Sequence, residues 1–306
     1  MKKYIINILV VAIALSACNT TPKKKENAKL NVVTTTTMLT DLVTNIGGDA
    51  IEVQGLMGSG VDPHLYKASE GDVSKLFNAD VVFYSGLHLE GKLVEVFEKM
   101  EKRGLKTIAV ATAIDKSKLI GSEYFASNYD PHIWFSIANW KEVTSYTIDK
   151  LQELDPKNAK VYETNGGLYL DKLKLLELEL KSTINTLPIE KRILITAHDA
   201  FSYFGKEYKF NVVGLQGLST ATEAGVQDVQ KLSKFIIEKE VKAIFVESSV
   251  PKRTIEALQA AVRSKGHEVT IGGTLYSDAL GAPDTLEGTY LGMFEYNVLT
   301  IVNALK

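Results

Sequence analysis

The sequence predicts an α/β protein of two lobes, each a four-stranded, mainly parallel sheet flanked by helices, with one long helix joining them. Three observations point there. Short β-rich runs alternate with helical segments over residues 30–154, and the same grammar returns after residue 188. Residues 155–185 between them are mostly helical in composition. The chain has 306 residues, 45% hydrophobic and 24% charged, which suits a folded soluble body with a sizeable core.

Taken in order, residues 30–35 read as the first strand. Residues 38–46 read as a helix stopped by Gly47 and Gly48. Strands follow at 51–56, 79–84 and 106–111. Helices lie between them at 69–78, with Ser69 as N-cap, and at 93–103, ending at Gly104. Residues 112–128 show no clear period and read as loop, and 138–154 as helix. Asp155-Pro156 is a helix start, acid at N-cap and proline at N1. Leu168, Leu173, Leu176 and Leu180 are expected on one stripe of the long helix, and Pro188 ends it. About 30 residues would make a rod of roughly 45 Å, with Gly166-Gly167 a candidate break. The second lobe has strands at 193–197, 211–214, 241–247 and 268–272, with helices at 200–207, 226–239, 252–265 and 286–305.

The N-terminus has a different character. Lys2 and Lys3 precede an apolar run at 5–15, too short for a spanning helix and suited to a signal peptide. Leu15-Ser16-Ala17-Cys18 follows and resembles a bacterial lipobox. The expected division is a signal peptide over 1–17 and a lipidated tether over 18–29. A first metal-binding lobe then covers 30–154, the linking helix 155–187 and a second lobe 188–306. Cys18 is the only cysteine, so no intrachain disulfide and no thiolate metal site can form. A formal charge of −2 gives no case for nucleic-acid binding.

The residues that carry chemistry are histidines, and there are five. Two sit in a repeated frame: Asp62-Pro63-His64-Leu65-Tyr66 and Asp130-Pro131-His132-Ile133-Trp134. Proline fixes its own φ and restricts the residue before it, so each imidazole is held on a stiffened loop. His198 directly follows the apolar run 193–197, at the carboxyl end of a predicted strand, where ligands of open α/β sheets bind. A loop histidine is by default a solvated or hydrogen-bonded residue. Three in such settings point instead to a shared metal ion, completed by a later carboxylate. His88 reads as a structural or supporting residue and His267 as a solvated one. Asp62, Asp130 and Asp199 adjoin the candidate ligands and are placed to orient or cap them. Glu247, at the end of a predicted strand, is a candidate of the same kind.

Several segments together resemble one family. They are the lipobox, the two Asp-Pro-His frames, Ala197-His198-Asp199-Ala200-Phe201, Val213-Gly214-Leu215-Gln216-Gly217 and Gly273-Thr274-Leu275-Tyr276-Ser277-Asp278. Gly86-Leu87-His88-Leu89-Glu90 also fits. The resemblance is to the solute-binding lipoproteins of bacterial zinc and manganese ABC importers, the TroA-like or cluster A-I family. It implies a metal held between two lobes by His64, His132, His198 and Asp278. Asp278 comes into the set only in this way. It also implies an ABC permease as partner, an extracytoplasmic location, membrane attachment through lipid on Cys18, and a single copy of the chain. A cell-adhesion label goes with some relatives.

Neutral imidazoles with one carboxylate suit a borderline divalent cation. Affinity order and the second-lobe histidine lean to Zn²⁺. The lack of a histidine-rich loop between His88 and His132 leans away from it, so the cargo stays Zn²⁺ or Mn²⁺. Two other readings stay open at this point. A secreted zinc hydrolase would need an open metal position, and the chain has no His-Glu-x-x-His. An iron-siderophore receptor would need an open cleft lined by arginines and aromatics.

Overall fold

β1 (Leu30–Thr34) is the inner strand on which the first half is laid down. It pairs in parallel with β2 (Ile51–Gly55) on one side and β3 (Val81–Tyr84) on the other, and β3 pairs with β4 (Lys106–Ala109). The order β2-β1-β3-β4 is all parallel. Val32, Val33, Val81, Val82 and Phe83 are buried, the near-continuous apolar pattern of strands covered on both faces. This computed structural model describes residues 29–123 and 125–306. The signal-peptide, lipobox and most of the tether readings, Cys18 included, lie outside the described residues.

The crossover helices are α1 (Thr37–Gly47), α2 (Glu70–Asn78) and α3 (Val94–Lys102). Thr36 Oγ1 accepts from Leu39 N at the start of α1. Ser69 caps α2 as expected, in a reciprocal capping box with Asp72. The segment 112–128 is largely loop, with short 3₁₀ turns and one bridge between Gly121 and Tyr129. α4 (Ile137–Leu154) follows, capped by Ser136.

Pro156 opens a 3₁₀ turn, and the long helix α5 runs Ala159–Ile184, 26 residues or about 39 Å. Asp155 does not cap a backbone N–H there. Its carboxylate accepts from Asn158 Nδ2 and Tyr162 OH, at 2.7 and 2.6 Å. The buried stripe is Tyr162, Gly166, Tyr169, Leu173, Leu176, Leu180 and Ile184. Leu168, expected on that stripe, is 60% exposed. Five residues separate it from Leu173, which turns it well off the face, and Tyr169 takes the place.

The second half contains β5 (Ile193–His198), β6 (Asn211–Gln216), β7 (Ala243–Glu247) and β8 (Thr270–Leu275). β5 pairs in parallel with β6, and β7 with β8. β5 runs beside β7 without a ladder between them. Helices α6 (Ser202–Tyr208), α7 (Val226–Glu238), α8 (Arg253–Arg263) and α9 (Tyr290–Leu305) complete it. One apolar cluster crosses both halves, taking in Val32, Phe83, Trp134, Tyr162, Leu173, Leu194, Phe245 and Phe294. Each half adds its own smaller cluster outside that shared core.

The two adjacent glycines of α5 play different parts, and the helix passes through both unbroken. A Cβ on Gly166 would stand 2.2 Å from Ile148 Cδ1, so glycine here lets α5 lie close on α4. A Cβ on Gly167 would meet nothing within 4 Å. Gly166→Val should therefore destabilise the fold by about 1–3 kcal/mol through overpacking. Gly167→Ala should stabilise it by about 1 kcal/mol through helix propensity. Urea unfolding of the two variants checks the opposite signs; shifts of the same sign would mean the α4–α5 contact is not this close.

Candidate metal centre

Two local devices build the first half of the site. Asp62 Oδ1 accepts from the main-chain N–H of His64 at 2.8 Å, and Asp130 Oδ1 accepts from that of His132 at 2.9 Å. Each frame is thus a proline turn closed by its own aspartate. At the second frame the same oxygen also meets His132 Nδ1 at 2.7 Å, which leaves Nε2 facing the other way. Trp134, two residues on, donates from Nε1 to Ser277 O at 2.9 Å. Tyr290 OH donates to Trp134 O at 2.6 Å. The residue beside Asp278 is therefore fixed to the loop that carries His132.

The second half supplies the rest. His198 is the last residue of β5. Its main-chain N–H donates to Glu247 Oε1 at 2.8 Å, and Glu247 Oε2 lies 2.6 Å from its Nδ1. A carboxylate at the end of β7 so holds the backbone of a histidine at the end of β5 by a hydrogen bond and stands beside its ring as an ion-pair neighbour. Gly214 of β6 makes room for this strand end: a Cβ there would stand 2.5 Å from Asp199 N. Asp278 follows β8 by three residues, with Ser249 Oγ 3.5 Å from its Oδ2.

These elements bring His64, His132, His198 and Asp278 together. One ligand atom from each lies within 4.8 Å of the others. His64 Nε2 and His132 Nε2 are 3.3 Å apart. Asp278 Oδ1 is 3.5 Å from His132 Nε2, and Oδ2 is 3.3 Å from His198 Nε2. Ligands about 2.0–2.1 Å from a tetrahedral zinc stand about 3.3–3.4 Å apart; these three separations come near that spacing, the two to Asp278 being made by different oxygens of its carboxylate. All four residues are buried. Asp278 Oδ1 and His198 Nε2 have no aligned hydrogen bond, an expensive state for buried polar atoms unless a cation takes them up.

The electrostatics agree. Burial lowers the His64 imidazole to about 3, with the neighbouring rings adding to the effect, so it stays neutral. Burial pushes His198 down too, but Asp278 and Glu247 outweigh it and hold that ring well above the ordinary histidine range. Burial would raise Asp278, yet His198, then the other two rings, keep it well below the ordinary carboxylate range. Burial and the charge of Asp278 raise Asp62.

The other expected residues divide. Glu247 is in contact with a candidate ligand. Asp199 Oδ1 accepts from Ser202 Oγ at 2.8 Å, at the start of α6, and its carboxyl lies within electrostatic reach of His132 and His198. His88 stands outside the cluster, across a cavity that His64 also lines. Sequence reasoning did not find Thr220, whose Oγ1 donates to Asp62 Oδ2 at 2.5 Å across the two halves, or Ser249. Neither carries a local signal, because each contact joins parts of the chain distant in sequence.

Comparison with known proteins bears on the whole chain. The family model described as zinc-uptake complex component A, periplasmic, matches residues 32–304. The manganese-binding lipoprotein MntA of Bacillus subtilis (strain 168) is 47% identical over 304 residues, covering 98% of this chain and 97% of MntA. The zinc-binding protein TroA of Treponema pallidum (strain Nichols) is 45% identical over 274 residues, covering 90% of this chain and 88% of TroA. The solved structure of the periplasmic zinc-binding protein TroA from Treponema pallidum superposes with a TM-score of 0.88 at 44% identity. That match covers 91% of this chain and 99% of the other. With a match over nearly every residue of both halves, the chain belongs to the zinc-uptake complex component A family.

Proposed function

We propose that this protein is an extracytoplasmic receptor that binds one divalent transition-metal ion, Zn²⁺ or Mn²⁺, and delivers it to an ABC importer. His64, His132, His198 and Asp278 are the ligands. The observation that carries this reading is the convergence of those four buried side chains, drawn from both halves, at coordination spacing. Neutral imidazoles and one carboxylate suit a borderline ion. The carboxylates of Asp130 and Glu247 stand behind the rings and orient them, and Glu247 raises the basicity of His198. Relatives named for manganese and for zinc are similar to the chain to nearly the same degree, so both ions remain within the proposal. An ion held from both halves cross-links them. The shared core and the unbroken α5 favour a small opening over a wide hinge.

The lipobox-like Leu15-Ser16-Ala17-Cys18 supports attachment to the outer face of a bacterial membrane through lipid on Cys18. MntA is itself named a lipoprotein. The body would then stand near its permease on a short polar tether, acting as a single copy.

Three outcomes test the proposal. Calorimetric titration should give one Zn²⁺ or Mn²⁺ per chain, and His132→Ala should weaken that binding at least tenfold with the far-UV circular dichroism unchanged. Unaltered affinity would remove His132 from the site.

The second outcome concerns protons. His198 is protonated in the metal-free protein at neutral pH and must give up its Nε2 proton to the ion, whereas His64 is already neutral. Binding at pH 7 should release about one proton, and affinity should rise about tenfold per pH unit there. Titration in buffers of different ionisation enthalpy measures this; release near zero would contradict the charge assignment.

Third, Cys18→Ser should move the protein out of the membrane fraction of expressing cells. Retention in the membrane would mean another anchor holds it.

A further inference from the structure

Of the four converging side chains, all buried, His64 lies nearest to solvent. It is 5% exposed, against 0–1% for the other three. It borders a cavity of about 130 Å³ that His132, His198 and Asp278 do not line. The wall includes His88, Lys92 and Phe125 from the first half and Ser219 and Ala221 from the second. Thr220, between those last two, is tied to Asp62, whose other oxygen holds the main chain of His64. The cavity mouth is thus framed by both halves and fastened at the loop of a candidate ligand.

His88 is placed there by an unusual backbone. Gly86, Leu87 and His88 have φ of 84°, 50° and 64°, three left-handed residues in succession. The buried Glu90 carboxylate secures the turn. It accepts from Ser85 N at 2.7 Å, Gly86 N at 3.2 Å and Thr35 Oγ1 at 2.6 Å. Non-glycine residues persist in this region only where their surroundings over-determine them, and such places cluster at functional sites. Here the result is an exposed imidazole beside the cavity. The ring of Phe125 stands edge-on to both histidines, with centroids 6.5 Å from His64 at 87° and 6.3 Å from His88 at 81°.

We propose that the ion enters and leaves past His64 through this cavity, that His88 is its outer ligand on the way, and that Phe125 is the gate between the two histidines. This rests on the ligand assignment above. An exposed imidazole can exchange water for a borderline divalent ion. The charge of Lys92 at the same mouth keeps that outer position weak, which a transit ligand requires. The apolar edge of Phe125 then separates the weak outer position from the buried inner one.

The test uses Zn²⁺ with the purified full chain. Association is followed by stopped-flow protein fluorescence and dissociation by competition with a chelator. Phe125→Ala should speed both rate constants at least threefold, because one barrier governs both directions. His88→Asn removes the imidazole but keeps a residue that tolerates positive φ. It should slow both by a similar factor. Melting curves establish that each variant is folded. Rate constants equal to those of the unsubstituted protein in both variants would overturn the route. A tenfold or greater loss of affinity in His88→Asn would also overturn it, because His88 would then hold the resting ion. If the unsubstituted protein binds no Zn²⁺ or Mn²⁺ at all, the ligand assignment fails first and takes the route with it.

Discussion

Asp278 carries a negative charge into a place without solvent, and the surrounding imidazoles keep it ionised. Taking a carboxylate out of water costs several kcal/mol even after a protein relaxes around it. Here part of that cost is met by His198, whose ring is held protonated between Asp278 and Glu247. Asp130 stands behind His132 in the same way. The result is a knot of carboxylates and imidazoles closed off from solvent. A divalent cation of the kind proposed above would relieve it, with one nitrogen or oxygen atom from each of the four side chains within 4.8 Å of the others.

The fold supplies this arrangement by putting strand ends to use. His198 and Glu247 terminate β5 and β7, Asp278 follows β8, and His64 follows β2 through a short loop. In parallel sheets those ends open onto a crevice, so residues far apart in sequence reach one point without long excursions. Trp134 links the loop bearing His132 to Ser277, joining the two halves beside the candidate ligands. A shared apolar core and a single long helix then hold the halves in register.

How much of this was legible in the sequence depended on range. The Asp-Pro-His frames could be read because their chemistry is local: three residues contain the turn, the aspartate that closes it and the ring it presents. His198 could be read because an apolar strand announces its own end. Ser69 and the alternation of helices and strands in the first half were readable for the same reason. Asp278 could not be read from its surroundings, since a serine-aspartate turn has many uses, and it entered only through family resemblance. The stripe on α5 was misjudged at Leu168 because leucines were counted and tyrosines were not, although Tyr162 and Tyr169 carry the face. Thr220, Ser249 and the link from Trp134 to Ser277 depend on three-dimensional proximity that no local pattern encodes.

The four strands of the second half form two separate ladders rather than one continuous sheet. At the line where β5 runs beside β7, no main-chain rung joins them; the carboxylate of Glu247 reaches across to the N–H of His198 instead. One ladder carries His198, and the chain leaving the other carries Asp278. A cargo ion gripped by both would act as a rivet through this fault line, so loading would stiffen the second half internally as well as join it to the first.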